Sequence, residues 1–370
     1  MSESYYVFGA HPRGRTLYEY LRTLKPQDRM LGFLFDNDEV NPDEADGMPV
    51  IDLRNLNSSL AGSEYDLTAS VYIATRGEYH EVITGRLSKL GFNNIIPVTP
   101  ELDMDLRNRY VERSFREKGK RFYKIEGVKD ALYDGTDDRA CLFIAKTPYD
   151  SEFEKPVPLK EYEKIIQAGC ALTDARLKEA AFFDNESLPA DNISDRNAQF
   201  SEMTALYWIW KHSEFDFAGL EHWRRRFLLP NDWIDIIEQD GIDVILPVPL
   251  CVMPSLEENY KGRHIPGVWD EAMRIIGELH TDEHVSAVDY FKENRLYSPC
   301  NMLIARREVL DDYCSWVFPI LLELNDRMGT FDDKYQNRYP GFVSERLLTY
   351  FFDVNSDKYN VAYADKSFLK

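Results

Sequence analysis

Positive charge is the scarcer kind in this chain: 44 Lys and Arg face 64 Asp and Glu, a formal net charge of −20 over 370 residues. That balance excludes the basic stripe that gathers nucleic-acid phosphates, so no nucleic-acid partner is expected. It also excludes a broad cationic footing on anionic lipid, leaving room only for a local patch and peripheral membrane contact. No run approaches the roughly 18 to 20 consecutive apolar residues that a bilayer-spanning helix needs. The opening, MSESYYVFGAHPRGR, has neither the basic lead nor the apolar core of a secretory leader, and a cytoplasmic location is expected, including the inner face of the membrane. Cysteine is sparse. Cys141, Cys170, Cys251, Cys300 and Cys314 are odd in number and scattered, without a CxxC pair, which speaks against a disulfide scaffold or a zinc knuckle and for reduced, buried thiols. Internal repeats and low-complexity tracts are also missing.

What is present is enough apolar material for two cores: 44% hydrophobic and 13% aromatic residues in a chain longer than one typical domain. Residues 5–100 alternate strand and helix patterns (YYVFG, LGFLFD, PVI, SVYIA, NIIPV), which predicts a parallel sheet flanked by helices, an α/β fold of Rossmann-like form over 1–105. Its first turn carries Gly9 and Gly14, and Asp36 follows the second strand. In dinucleotide folds a glycine turn opens the first helix and an acid after the second strand holds a ribose. Those three residues are therefore a candidate nucleotide-like site, although the glycine pattern falls short of GxGxxG and fits a purely structural module as well. Mixed charge with little apolar content marks 106–135 as a linker helix, and a larger α/β domain is expected over 136–370.

The stretch DNISDRNAQFSEMTALYWIWKHSEFDFAGLEHWRRRF, from Asp191 to Phe227, is the most informative. Phe200, Met203, Leu206, Tyr207 and Trp210 recur at helical spacing. Phe215 to Leu220 reads as a buried strand, and Glu221, His222, Arg224 and Arg225 follow it directly. Residues just past the carboxyl end of a strand in an open α/β sheet line the ligand crevice, and arginine forks match phosphate oxygens in pairs. A solvated arginine turn is the plainer alternative. By the same rule Lys146, after ACLFIAK, can meet a phosphate, and Thr173 and Asp174, after AGCAL, can take a ribose or base edge or help hold a metal. Asp191 and Asn192 can assist a donor sugar or form an Asx turn. Tyr260, Lys261, Arg263 and His264 lie in an expected loop suited to a lid or acceptor contact, and Asn301, ahead of the strand MLIA, can bind sugar hydroxyls.

The blocks SEMTALYWIWKH, FAGLEHWRRRF, SPCNMLIARREVLDDYCSWVFPIL and GFVSERLLTYFF, in that order, resemble a bacterial family formerly catalogued only as a domain of unknown function, found in capsule, exopolysaccharide and O-antigen gene sets. The resemblance covers about 140–352 and implies a glycosyltransferase of the A-type nucleotide-sugar fold. It implies a nucleotide-sugar donor, galactofuranose among the candidates, and a glycan or lipid-linked glycan acceptor. Two departures stand out: Ala145-Lys146 replaces a His-Lys pair, and the segment between Asp174 and Asp191 is long. In such enzymes a DxD pair commonly holds Mn²⁺ or Mg²⁺ against the diphosphate. No DxD stands at a convincing strand end here, and Glu221-His222 occupies the equivalent position, as a weak metal pair or beside arginines that neutralise the diphosphate alone. The expected roles are Arg224, Arg225 and Lys146 on the leaving diphosphate, Glu221 or Glu345 as base, His222 orienting, and Arg346 paired with Glu345. The alternative function is a non-catalytic nucleotide- or carbohydrate-binding protein of a polysaccharide assembly complex.

Overall fold

The computed structural model describes residues 3–38, 40–55, 65–126, 139–155, 157–186 and 191–369. The chain forms two compact units, Met1–Arg121 with Cys251–Met253, and Phe122–Leu250 with Pro254–Lys370. Part of the expected linker, 127–135, and the first residues of the expected second domain, 136–138, lie outside the described residues.

In the first unit, β1 (Ser4–Phe8), β2 (Arg29–Phe35), β4 (Met48–Asp52), β5 (Ser70–Ile73) and β6 (Asn94–Pro97) are parallel. A short β3 (Glu44–Ala45) runs antiparallel to β4. The spatial order β3-β4-β2-β1-β5-β6 reverses direction at β1. Tyr6, Phe8, Leu34, Val71, Ile73 and Leu87 bury one face of this sheet, as near-continuous apolar strands covered on both sides require. Gly14 is dictated sterically: a Cβ there would lie 1.8 Å from the Gly9 carbonyl oxygen, so only glycine lets helix Pro12–Leu24 close onto the first turn. Helix Pro100–Glu117 begins ahead of the expected boundary at 105 and packs on helix Pro12–Leu24, with the Tyr20 and Tyr110 rings 4.9 Å apart.

The second unit is built on seven strands: β7 (Ala140–Lys146), β8 (Glu163–Gln167), β9 (Phe182–Phe183), β10 (Phe217–His222), β11 (Val244–Pro247), β12 (Leu303–Arg306) and β13 (Val361–Ala364). Their order is β9-β8-β7-β10-β12-β11-β13, parallel except for β12, which is antiparallel to both neighbours. Leu142, Phe217, Ile245 and Ile304 pack around Trp233 on one face. Phe143, one residue along and so on the other face, packs against Phe182, Trp208 and Phe215. The C-terminal ends of β7, β8 and β10 thus share one edge.

The helix expected across 197–212 is two pieces, Asn197–Phe200 and Met203–His212, broken where Ser201 adopts φ 51° and ψ −127°. The Asn197 amide donates to Ser201 O at 2.7 Å and Thr204 Oγ1 at 2.9 Å, holding the break closed. Phe200, Met203 and Leu206 are buried, as their spacing requires. Among the described residues no helix is long and apolar enough to cross a membrane.

Candidate active site

β10 ends in Glu221 and His222, which point to opposite faces because strand side chains alternate. The chain then reverses at once: His222 N donates to Arg225 O at 3.0 Å and Arg225 N donates to His222 O at 3.1 Å, with Trp223 and Arg224 at the tip. The same six residues therefore feed two environments.

On the inner side, Glu221 is fully buried. Its Oε1 accepts from Phe227 N at 2.6 Å, and Oε2 meets no hydrogen-bond partner among the described residues. Burial, reinforced by the Glu163 carboxylate, pushes its pKa well above the ordinary carboxylate range. Arg226 donates to Glu163 at 2.8 Å, with both side chains buried. Lys146, 1% exposed, pairs with Glu179 at 2.8 Å and Glu152 at 3.0 Å, and its ammonium sits 3.7 Å from the centre of the Trp223 ring.

On the outer side, a cavity of about 350 Å³ opens at the ends of β7, β8 and β10, lined by Glu202, His222, Arg224, Arg225 and Arg338 among others. His222 Nε2 lies 2.5 Å from Cys300 O. A carbonyl only accepts, so this hydrogen bond assigns the proton to Nε2 and leaves Nδ1 as the basic atom of the neutral ring. Cys300 N in turn donates to Glu345 Oε1 at 2.7 Å, and Arg346 holds Glu345 Oε2 at 3.0 Å. Burial raises the Glu345 pKa, while Arg346 and the Cys300 amide oppose that rise. Glu202 Oε1 accepts from Asn301 Nδ2 at 2.8 Å and stands 4.0 Å from His222 Nε2; its Oε2 is 3.9 Å from Arg338, whose Nε donates to Ser201 Oγ at 2.8 Å.

Backbone strain gathers at the same place. Ser201, Cys300 and Asn301 have φ of 51°, 76° and 50°, three of the four non-glycine residues at positive φ among those described. Each such residue costs on the order of 1–3 kcal/mol and persists only where its surroundings impose it. One fixing point is Asp184, fully buried, which accepts from Gly169 N (2.7 Å), Cys170 N (3.0 Å), Ser194 Oγ (2.5 Å) and Thr204 Oγ1 (2.8 Å). It ties the turn after β8 to helix Met203–His212. Gly169, at φ 72°, lets that turn touch Asn197, since a Cβ would sit 2.7 Å from Asn197 Oδ1.

Several expected residues lie elsewhere. Lys146 and Glu221 do not line the cavity; both are consumed in the buried inner cluster. Thr173 and Asp174 are not at a strand end, because the strand is EKIIQ and AGCAL forms a turn and a short 3₁₀ segment; Thr173 Oγ1 accepts from the exposed Tyr149 hydroxyl at 3.1 Å, and Asp174 faces solvent. Asp191 is clasped by its own helix through Tyr207 at 2.7 Å and Lys211 at 3.8 Å, and Asn192 forms the Asx turn to Ser194 N at 3.2 Å. The expected lid is helix Leu256–Lys261 and its cap. Tyr260 is fully buried against Trp269, Lys261 pairs with Glu257 and Asp270, and the Arg263 carbonyl accepts from Gln336. His264 stacks 4.2 Å from Phe342, where burial and then Arg346 lower its pKa to about 4. Asn301, Glu345 and Arg346 reach the cavity's supporting wall. In the first unit Gly9 and Gly14 shape the turn, and Asp36 pairs with Arg86 at 2.6 Å.

Glu221 and His222 do not fit the expected Mn²⁺ or Mg²⁺ pair. They occupy opposite faces of β10, and Nε2 of His222 already donates to a carbonyl. Among the described residues no three His, Cys, Asp or Glu side chains converge as a metal cluster.

Against known families, residues 152–356 match the domain of unknown function DUF4422, more than half of the chain. The chain belongs to that family. A solved structure described as the apo form of the bifunctional glycosyltransferase WbbM is 21% identical, with a TM-score of 0.54 over 62% of this chain and 45% of that one. The chain thus spans under half of that protein's length, and at this identity the likeness shows the fold alone, a mixed α/β domain with a mainly parallel sheet that is shared with part of that glycosyltransferase. RSP, a Rex-family repressor, aligns at 13% identity over 32% of this chain and 63% of that one, and its TM-score of 0.23 is too low to carry weight. Among curated proteins nothing matches. Family membership therefore rests on the second unit, where the cavity lies.

Proposed function

We propose that this chain is a glycosyltransferase that moves a sugar from a nucleotide-sugar donor onto a glycan or lipid-linked glycan acceptor of a bacterial surface polysaccharide, with galactofuranosyl transfer as the finer reading. One observation carries it: a 350 Å³ cavity at the strand ends in which one imidazole and two carboxylates, Glu202 and Asp150, stand among three arginines. Sugar transfer needs positive charge on the departing diphosphate and a base for the acceptor hydroxyl. Arg225 and Arg338 supply the first, with Arg224, whose guanidinium is steadied by Ser151 O at 3.1 Å. His222 Nδ1 takes the proton, and Glu202 stabilises the imidazolium that results. Glu345 acts through the Cys300 peptide as a positioning residue that holds the His222 ring. The diphosphate is neutralised by arginine in this reading. Support comes from family membership, the shared fold and the clustering of strain around His222.

The test is nucleotide release and product mass from the full chain with a panel of nucleotide sugars that includes a galactofuranose donor, and with acceptor glycans. Turnover is expected on one donor. His222→Ala should cut kcat by about 10²–10⁴, and Arg225→Ala by about 10² or more, each with an unchanged melting temperature. Tight donor binding without release would instead make the protein a binding module. Full turnover by both variants would remove these residues from the chemistry.

A further inference from the structure

We propose that the first unit holds a second ligand site, for a nucleoside monophosphate, between helix His80–Lys89 and the C-terminal ends of β1, β2 and β4. A cavity of about 390 Å³ lies there, within the range of small-molecule sites. Its floor is apolar, made by Phe8, Leu53, Leu87 and Leu90, and its rim is charged, with Asp36 facing Arg86 and Lys89. The location is the one chemistry favours in an open α/β sheet, outside the carboxyl ends of the strands beside the strand at which the order reverses.

Each part of a mononucleotide has a matching surface. The apolar floor suits a base, which can lie on Leu90 and on the edges of Phe8 and Leu53 that remain accessible. Asp36, whose carboxylate is largely shielded, accepts from Arg86 Nη1 at 2.6 Å and keeps lone pairs for a ribose diol. Arg86 and Lys89, three residues apart on one helix face, keep donors for a phosphate in a chain whose overall charge would repel one. A dinucleotide fits less well. Neither Gly9 nor Gly14 lines the cavity, and Pro12 at the first position of helix Pro12–Leu24 removes a backbone N–H from the place where a pyrophosphate would sit. The site is independent of the transfer reaction proposed above, because its lining belongs wholly to the first unit.

The experiment is calorimetric titration of the full chain with AMP, UMP and inorganic phosphate in turn. One nucleoside monophosphate is expected to bind with one-to-one stoichiometry and at least about tenfold more tightly than phosphate. Lys89→Glu, at an exposed position where folding is not in question, and Arg86→Ala should each weaken binding about tenfold or more, while Arg338→Ala in the second unit leaves the affinity unchanged. The proposal is overturned by absence of nucleotide binding, by phosphate binding as tightly as the nucleotides, or by a loss on Arg338→Ala in place of Lys89→Glu.

Discussion

Two charged clusters lie back to back across one turn, and the six residues Glu221–Arg226 contribute to both. The side chains of the inner cluster, Lys146, Glu163, Glu221 and Arg226, are buried and held by contacts of 2.6–3.0 Å, with solvent reached only at the Glu152 and Glu179 carboxylates that Lys146 binds. The outer cluster of Glu202, His222, Arg225 and Arg338 borders a cavity; its charge pairs stand loosely at 3.9–4.0 Å, and three neighbouring residues hold strained backbone. Residue types are nearly the same on both sides. The difference shows that strand alternation, more than composition, decides which charges are spent on the fold and which stay available to a ligand. The inner charges are buried away from the cavity and cannot reach a phosphate there, whereas Arg338, 3.9 Å from Glu202, can turn toward a ligand without breaking an ion pair at contact distance.

The sharpest way to break this comparison is to open the inner pair. Glu163→Ala strands the Arg226 guanidinium in the core and should destabilise the protein by about 3–5 kcal/mol, read as a lower denaturation midpoint, while the donor affinity of the molecules still folded is unchanged. A loss below about 1 kcal/mol, the size of an exposed pair, would mean that the inner cluster is wet and equivalent to the outer one. Smaller, and of opposite sign, is the effect of Ser201→Gly. At φ 51° and ψ −127° glycine relieves strain, a gain of roughly 1 kcal/mol in stability. The same change removes the Oγ that accepts from Arg338 Nε, so the KM for donor should rise as the melting temperature rises. If both parameters stay put, Ser201 neither stores strain nor steers Arg338.

Much of this arrangement was legible in the sequence, and the omissions have physical causes. Strand and helix periods placed both sheets, and the run after Leu220 pointed to the cavity because a strand end in such a sheet is fixed by topology. Sequence alone does not show the phase of alternation at the strand's last residues, which is why Glu221 and Lys146 were expected beside His222. Glu202 gave no signal: it sits in a helical pattern, and only the break at Ser201, a residue without a glycine's signature, turns it into the cavity. Arg338 and Asp184 come from distant segments and are brought in by tertiary contacts. Tyr260 and His264 read as a lid because their neighbours are charged, yet Trp269 and Phe342, farther along the chain, bury them.

The smallest effect tests the inner side through its protonation. The folded-state pKa of Glu221 is raised, by burial first and by Glu163 second, above the ordinary value of about 4.5. Between that ordinary value and the raised one, the folded chain holds a proton that the unfolded chain has released. The stabilisation is therefore fully present at low pH and is lost as pH rises through this window. One proton bounds the slope at about 1.4 kcal/mol per pH unit. Glu221→Gln cannot ionise, and it keeps an oxygen to accept from Phe227 N. Its unfolding free energy, measured by urea titration from pH 5 to 8, should lack that decline, whatever constant offset the new amide introduces. Parallel curves for variant and parent would show that Glu221 titrates alike in both states, with Arg226 holding it charged. The inner cluster would then be as open to solvent as the cavity it backs, and the division of labour across the turn would fail.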